Sequence, residues 1–192
     1  MNVAVRAFVK NNNVNKLIIE RNTQKTINCV ISRFISKHIS RRKVLDQPKD
    51  LVFKTVANVD EYDQFLPYCT RSKYVEDSLV VHENSCSNSF ECDLSFSHSQ
   101  ISETIRHKIE TVENESVIST AAETGFWNSL VYNWSFEELP GDKTEVQVKL
   151  DVDIKGLPYA IAFDMLSDAV IAKVFDAFIY RLHGYDFVGS RK

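Results

Sequence analysis

The side chains best equipped for metal or nucleophilic chemistry are five histidines (His38, His82, His98, His107, His183) and four cysteines (Cys29, Cys69, Cys86, Cys92). Their spacing matches neither chemistry. The chain has no C-x-x-C pair, no H-E-x-x-H, no G-x-S-x-G elbow and no glycine-rich phosphate loop. Ser97 and His98 are adjacent, but neighbouring residues of a strand point to opposite faces and cannot form a nucleophile–base pair. Glu103 and Arg106 remain as an acid and an orienting guanidinium that one pocket could hold. No catalytic residue and no metal ligand is assigned, and the protein is expected not to be an enzyme.

Apolar and aromatic side chains carry a stronger pattern. Phe90, Cys92, Leu94 and Phe96 alternate with polar residues, as do Leu130, Tyr132, Trp134 and Phe136, and Val146 through Ile154. A period of two over residues 68–155 predicts antiparallel strands with one wet face. Pro140-Gly141-Asp142 marks a hairpin turn between the last two. An opening strand is expected at 39–46. A short helix follows over Leu51–Val59 with Pro48 in its first turn, then a second holding Tyr62 and Phe65, capped by Asp60 and ended at Pro67. Residues 158–183 predict one long helix, stopped at Gly184, whose broad apolar face carries Ala160, Phe163, Leu166, Val170, Ile171, Val174, Phe175, Ala177, Phe178 and Leu182. The fold class is therefore α+β: a curved antiparallel sheet wrapped around a long C-terminal helix, a helix-grip. A curved sheet cannot pack flush on a straight helix, so an apolar cavity is expected between them.

Charge divides the chain. Residues 1–43 hold ten Lys/Arg and one acid, net +9, whereas residues 44–192 carry net −12. A basic leader with Ile27, Val30, Ile31, Phe34 and Ile35 on one helical stripe has the properties of a mitochondrial transit peptide, cleaved near residues 20–37. The expected organisation is a leader at 1–37, one ligand-binding domain at 38–186 and a short tail at 187–192. The acidic body argues against a nucleic-acid partner.

Val56-Ala-Asn-Val-Asp-Glu-Tyr-Asp-Gln-Phe-Leu-Pro-Tyr-Cys69 resembles the segment joining the first helices to the second strand in the coenzyme Q-binding proteins of the START/polyketide-cyclase superfamily. Asp93-Leu94-Ser95-Phe96, Gly125-Phe126…Leu130…Trp134-Ser135-Phe136 and Ala177-Phe178…Arg181 resemble later family segments in the same order. The resemblance covers roughly residues 39–184. One departure is Ser95-Phe96-Ser97, where the family often has Gly-Phe-Pro.

The resemblance implies a START-like lipid-binding domain whose bound ligand is ubiquinone, with no further cofactor. It implies peripheral contact with the matrix side of the mitochondrial inner membrane, support of respiratory electron transport and ubiquinone biosynthesis, and biosynthetic enzymes as candidate partners. By analogy of fold, the ligand-binding residues are Phe90, Leu94, Phe96, Phe126, Leu130, Tyr132, Trp134, Phe163, Leu166 and Val170. Tyr68, Trp127 and Arg106 are candidates for the quinone head or the pocket mouth, and the 123–129 loop for membrane insertion. The superfamily leaves three alternatives: a carrier of another apolar lipid, an aromatase/cyclase-like enzyme using Glu103 and Arg106, and a ribosome-associated binding protein.

Overall fold

The computed structural model describes residues 36–82, 86–98 and 101–184. The expected leader helix at 27–35 and the tail at 187–192 lie outside the described residues. The chain opens with β1 (Ser36–Leu45), then α1 (Lys49–Ala57), a 3-10 turn (Val59–Glu61) and the short α2 (Tyr62–Phe65). Seven strands follow: β2 (Cys69–Tyr74), β3 (Val80–His82), β4 (Ser87–His98), β5 (Ile101–Val112), β6 (Ser116–Ala121), β7 (Trp127–Leu139) and β8 (Lys143–Ile154). A single long helix, α3 (Leu157–Leu182), closes the fold.

All strands join one antiparallel sheet in the order β1-β8-β7-β6-β5-β4-β2, with β3 also on β4. Strands β4 to β8 form a meander, because each connection is short enough for neighbouring strands to pair. In the three-residue turn at 140–142, Gly141 and Asp142 take φ of 84° and 54°. In β8 the buried residues are Thr144, Val146, Val148, Leu150, Val152 and Ile154, so one parity faces inward along its whole length. This alternation makes the sheet amphipathic, and α3 crosses its apolar, concave face. The observed architecture is the expected α+β helix-grip.

Two details depart from the sequence reading. Asp60 does not cap a helix with its side chain; its carboxylate accepts a hydrogen bond from the Tyr74 backbone N–H at 2.7 Å, tying the 3-10 turn to β2. Strand β2 itself has only Cys69 and Ser72 buried, because Thr70, Arg71 and Lys73 face water. Ser72 is satisfied by donating to the Val59 carbonyl. A strand with so little apolar content carries no period to read.

The two halves of α3 are packed differently. Its C-terminal half buries Phe175, Ala177, Phe178 and Ile179. Phe178 meets Tyr62, Phe65 and Trp134 edge-on at 5.3, 5.2 and 5.0 Å between centroids, and Phe175 stacks on Trp134 at 5.9 Å. Edge-to-face aromatic contacts add to the burial gain, so this cluster anchors the helix. Toward the N-terminus Ala160 and Ser167 are buried, while Leu157, Ile161 and Met165 are 42%, 51% and 79% exposed. No helix among the described residues is long and apolar enough to cross a membrane.

Candidate ligand-binding site

A recess lies between α3 and the strands. Ile39 and Arg41 of β1, Tyr132 and Trp134 of β7, and Val148 and Leu150 of β8 form its floor. Val170, Ile171, Val174 and Phe175 of α3 form its roof. The register explains the floor: Ile39 pairs with Leu150 and Leu150 with Tyr132, while Arg41 pairs with Val148 and Val148 with Trp134. Directly opposed residues project to the same face, so two rows of three side chains point into the same space.

The lining is almost wholly apolar. Burial pushes the Tyr132 phenol up to about 12, which keeps it a neutral hydroxyl. Arg41, the charged lining residue, turns its guanidinium outward to Asp168 of α3 at 2.6 Å. One helical turn earlier, Lys37 pairs with Asp164 at 2.8 Å. These two ion pairs stitch the β1 edge to the N-terminal half of α3. Both acids are exposed, and exposed pairs contribute only about 0–1 kcal/mol each, so the seam is weak compared with the aromatic anchor. The cavity volume is about 40 Å³. Space of that size holds a few waters, whereas an apolar cavity of about 150 Å³ holds one benzene ring.

The sequence-derived candidates divide by position. Tyr132, Trp134 and Val170 border the recess. Leu130 and Phe163 pack beyond one end of it, with Ile105, Ala121, Val152, Ile154 and Ala160. Phe90 and Leu94 lie in the larger core cluster beside Val52, Val56 and Phe65, and Phe96 touches both clusters. The backbone of Leu166 lies in α3, and its side chain is outside the described residues.

Phe126 sits edge-on against Tyr159 at 5.3 Å, and the Trp127 indole N–H donates to the Ala122 carbonyl at 3.2 Å. The segment expected as a loop at 123–129 is shorter, because β7 already begins at Trp127. Tyr68 takes φ of 67° at the turn into β2, and its hydroxyl accepts from Lys173 at 3.2 Å. Seven lining residues were not among the sequence-derived candidates: Ile39, Arg41, Val148 and Leu150 of the strands and Ile171, Val174 and Phe175 of α3, although the helix three lie on its apolar stripe and Val148 and Leu150 on the alternation of β8.

Two further placements matter. Glu103 and Arg106 do not share a pocket: three residues apart on a strand, they fall on opposite faces. Arg106 lies on the outer face, in a bidentate pair with Asp93 at 2.7 and 2.9 Å, on the side of the sheet away from α3. His107, by contrast, is 2% exposed on the concave face, in register with Cys92 on β4 and Ala121 on β6. Its Nδ1 shares a 2.9 Å hydrogen bond with the Ser119 hydroxyl. Its Nε2 is buried with no hydrogen-bond partner among the described residues. Burial lowers the imidazole to about 4, so the ring is neutral. The missed signal was parity: His107 falls between Ile105 and Ile109 on the inward-facing side of β5. Cys69 and Cys92 are buried thiols pushed up to about 12, which keeps them protonated and unreactive.

Comparisons agree with this geometry. The family model described as polyketide cyclase / dehydrase and lipid transport matches residues 45–179. The chain is 27% identical over 124 residues to the mitochondrial coenzyme Q-binding protein of Dictyostelium discoideum, covering 65% of this chain and 57% of that protein. It is 20% identical over 152 residues to the Schizosaccharomyces pombe coenzyme Q-binding protein, covering 79% and 88%. It is also 22% identical over 152 residues to the ribosome association toxin RatA of Escherichia coli K12, covering 79% and 90%.

Among solved structures, the Zhui aromatase/cyclase of a Streptomyces species superposes with a TM-score of 0.64 at 12% identity, covering 77% of this chain and 94% of that one. An 18 kDa protein from Caulobacter crescentus gives 0.61 at 20% identity, covering 78% and 99%. At such identities the likeness shows the fold alone. The matched segment runs from the last residue of β1 into the final turn of α3, and the chain belongs to the polyketide cyclase / dehydrase and lipid transport family.

Proposed function

We propose that this protein binds ubiquinone between the sheet and α3 and carries it, chemically unaltered, at the matrix face of the mitochondrial inner membrane. In this reading it supports respiratory electron transport and ubiquinone biosynthesis. The observation that carries the reading is the apolar recess, with one charged lining residue turned outward and its roof formed by Val170, Ile171, Val174 and Phe175 of α3. Similarity to two mitochondrial coenzyme Q-binding proteins and the basic leader support the choice of ligand and compartment.

A polyprenyl tail gains about 0.8 kcal/mol per buried CH₂, and the bilayer offers it the same gain. A carrier therefore needs many soft apolar contacts rather than a tight, polar site. The recess as it stands has too little volume for a quinone ring, so in this reading loading widens it by moving α3 from the β1 edge, which breaks the Arg41–Asp168 and Lys37–Asp164 pairs. Exposed Leu157, Ile161 and Met165, spaced i, i+4 and i+8 on that same half of the helix, form an apolar stripe for peripheral bilayer contact. A ribosomal role is disfavoured by the net −12 charge of residues 44–192, which repels phosphate.

The test is organic extraction of the purified full chain followed by mass spectrometry. Near-stoichiometric ubiquinone in the wild type, and none in a folded Val174→Trp variant with the recess filled, is expected. Phospholipid alone, retained by both proteins, would overturn the assignment.

A further inference from the structure

The structure assigns a specific contact for the ligand's polar head: we propose that His107 Nε2, with its ring held by Ser119, hydrogen-bonds a ring oxygen of the quinone. This inference rests on the quinone-carrier reading above.

The first ground is the buried Nε2 itself, which has no partner among the described residues. Leaving a polar nitrogen unpaired inside a core is destabilising, and such orphans are rare in native proteins. A residue of leucine-like size would fill the same position without that penalty. A ligand oxygen supplies the missing partner only when the site is occupied.

Position is the second ground. His107 faces the concave side of the sheet, toward α3, and not the solvent face. Its hydrogen-bond partner Ser119 stands directly opposite Tyr132 in the β6–β7 register, and Tyr132 borders the recess. His107, Ser119 and Tyr132 thus lie on one face of three neighbouring strands, with Tyr132 at the recess and Ser119 and His107 beyond it. A head group advancing past Tyr132 as the recess widens meets Ser119 and then His107.

The third ground is chemical. A neutral imidazole has one donor nitrogen and one acceptor nitrogen. If Ser119 donates to Nδ1, Nε2 carries the proton and donates to a quinone carbonyl. If Nδ1–H donates to Ser119, Nε2 accepts from a hydroquinone hydroxyl. Rotation of one serine hydroxyl with a tautomer change therefore fits the site to both redox forms, with no net charge in the core. A Lys or Arg at this position would offer donors only and would place a charge in the core.

Tryptophan quenching on the full chain tests the proposal with three probes: a short-tail ubiquinone, its quinol, and squalene as an apolar chain lacking the head. His107→Leu is expected to lower affinity for quinone and quinol alike by about tenfold, the worth of one buried hydrogen bond. Squalene affinity is expected to be unchanged, and the ligand-free melting temperature no lower than wild type. His107→Gln, which keeps a donor and an acceptor, is expected to recover part of the loss. Unchanged quinone affinity in His107→Leu would overturn this inference alone, as would equal loss of quinone and squalene. Absence of quinone binding in the wild type would overturn the carrier reading and this inference with it. Should His107→Leu fail to fold, Ser119→Ala decides: a severalfold loss for quinone but not squalene supports the contact, and no change overturns it.

Discussion

Mild acid should destabilise this protein through His107 in particular. The folded ring, almost fully buried, takes up a proton only near pH 4, while an exposed imidazole in the unfolded chain does so near 6.5. Burial dominates the lowering. Asp93, on the outer face of β4 and itself held below the usual carboxylate range by Arg106, pulls weakly the other way. Between these two values the unfolded state binds more protons, so stability is complete above about pH 6.5 and is lost as pH falls toward 4. Linkage gives a loss of about 2 kcal/mol between pH 7.5 and pH 5, which lowers a urea midpoint by about 1 M. Every other ionisable side chain is common to wild type and His107→Leu, so it cancels in the comparison. The assay is therefore urea unfolding of both proteins at pH 7.5 and pH 5. Wild type is expected to lose about 2 kcal/mol more than the variant over that interval. Parallel losses in the two proteins would refute the reasoning, and with it the view that His107 is buried and neutral.

Two further perturbations separate anchor from mouth. Phe178→Ala removes the ring that meets Tyr62, Phe65 and Trp134, and is expected to destabilise the protein by about 3–5 kcal/mol in equilibrium unfolding. The double change Ile161→Glu and Met165→Glu alters side chains that already face water, so stability is expected to shift by less than about 0.5 kcal/mol. Association with anionic liposomes in a flotation assay is expected to fall sharply in the same variant, and unchanged flotation would place the membrane contact elsewhere.

Several features were readable in the sequence for one reason: local periodicity reports which side of an element is dry. The alternation of Val146 to Ile154, the helical stripe from Ala160 to Leu182, the Pro140–Asp142 turn and the stop at Gly184 each depend on near neighbours in the chain. From them the α+β class, the antiparallel sheet and the position of the long helix follow. Motif order within residues 39–184 added the family. Strand β2 falls within the 68–155 strand region but shows little of its period, because its apolar content is low; its place is set by distant partners, the Val59 carbonyl and strand β4.

Which side chains share a space depends on long-range packing. Register placed Ile39, Leu150 and Tyr132 in one row and separated Glu103 from Arg106 by a sheet's thickness. Packing of Phe175 and Phe178 on Trp134 held one half of α3 down, and left the other half joined to β1 by two exposed ion pairs. The unpaired Nε2 of His107 is likewise invisible in one dimension, because a missing hydrogen bond is a property of the whole surrounding volume. Composition and period determine that an apolar face exists; only the relative placement of distant elements determines whether that face is filled, hollow or furnished with a polar contact.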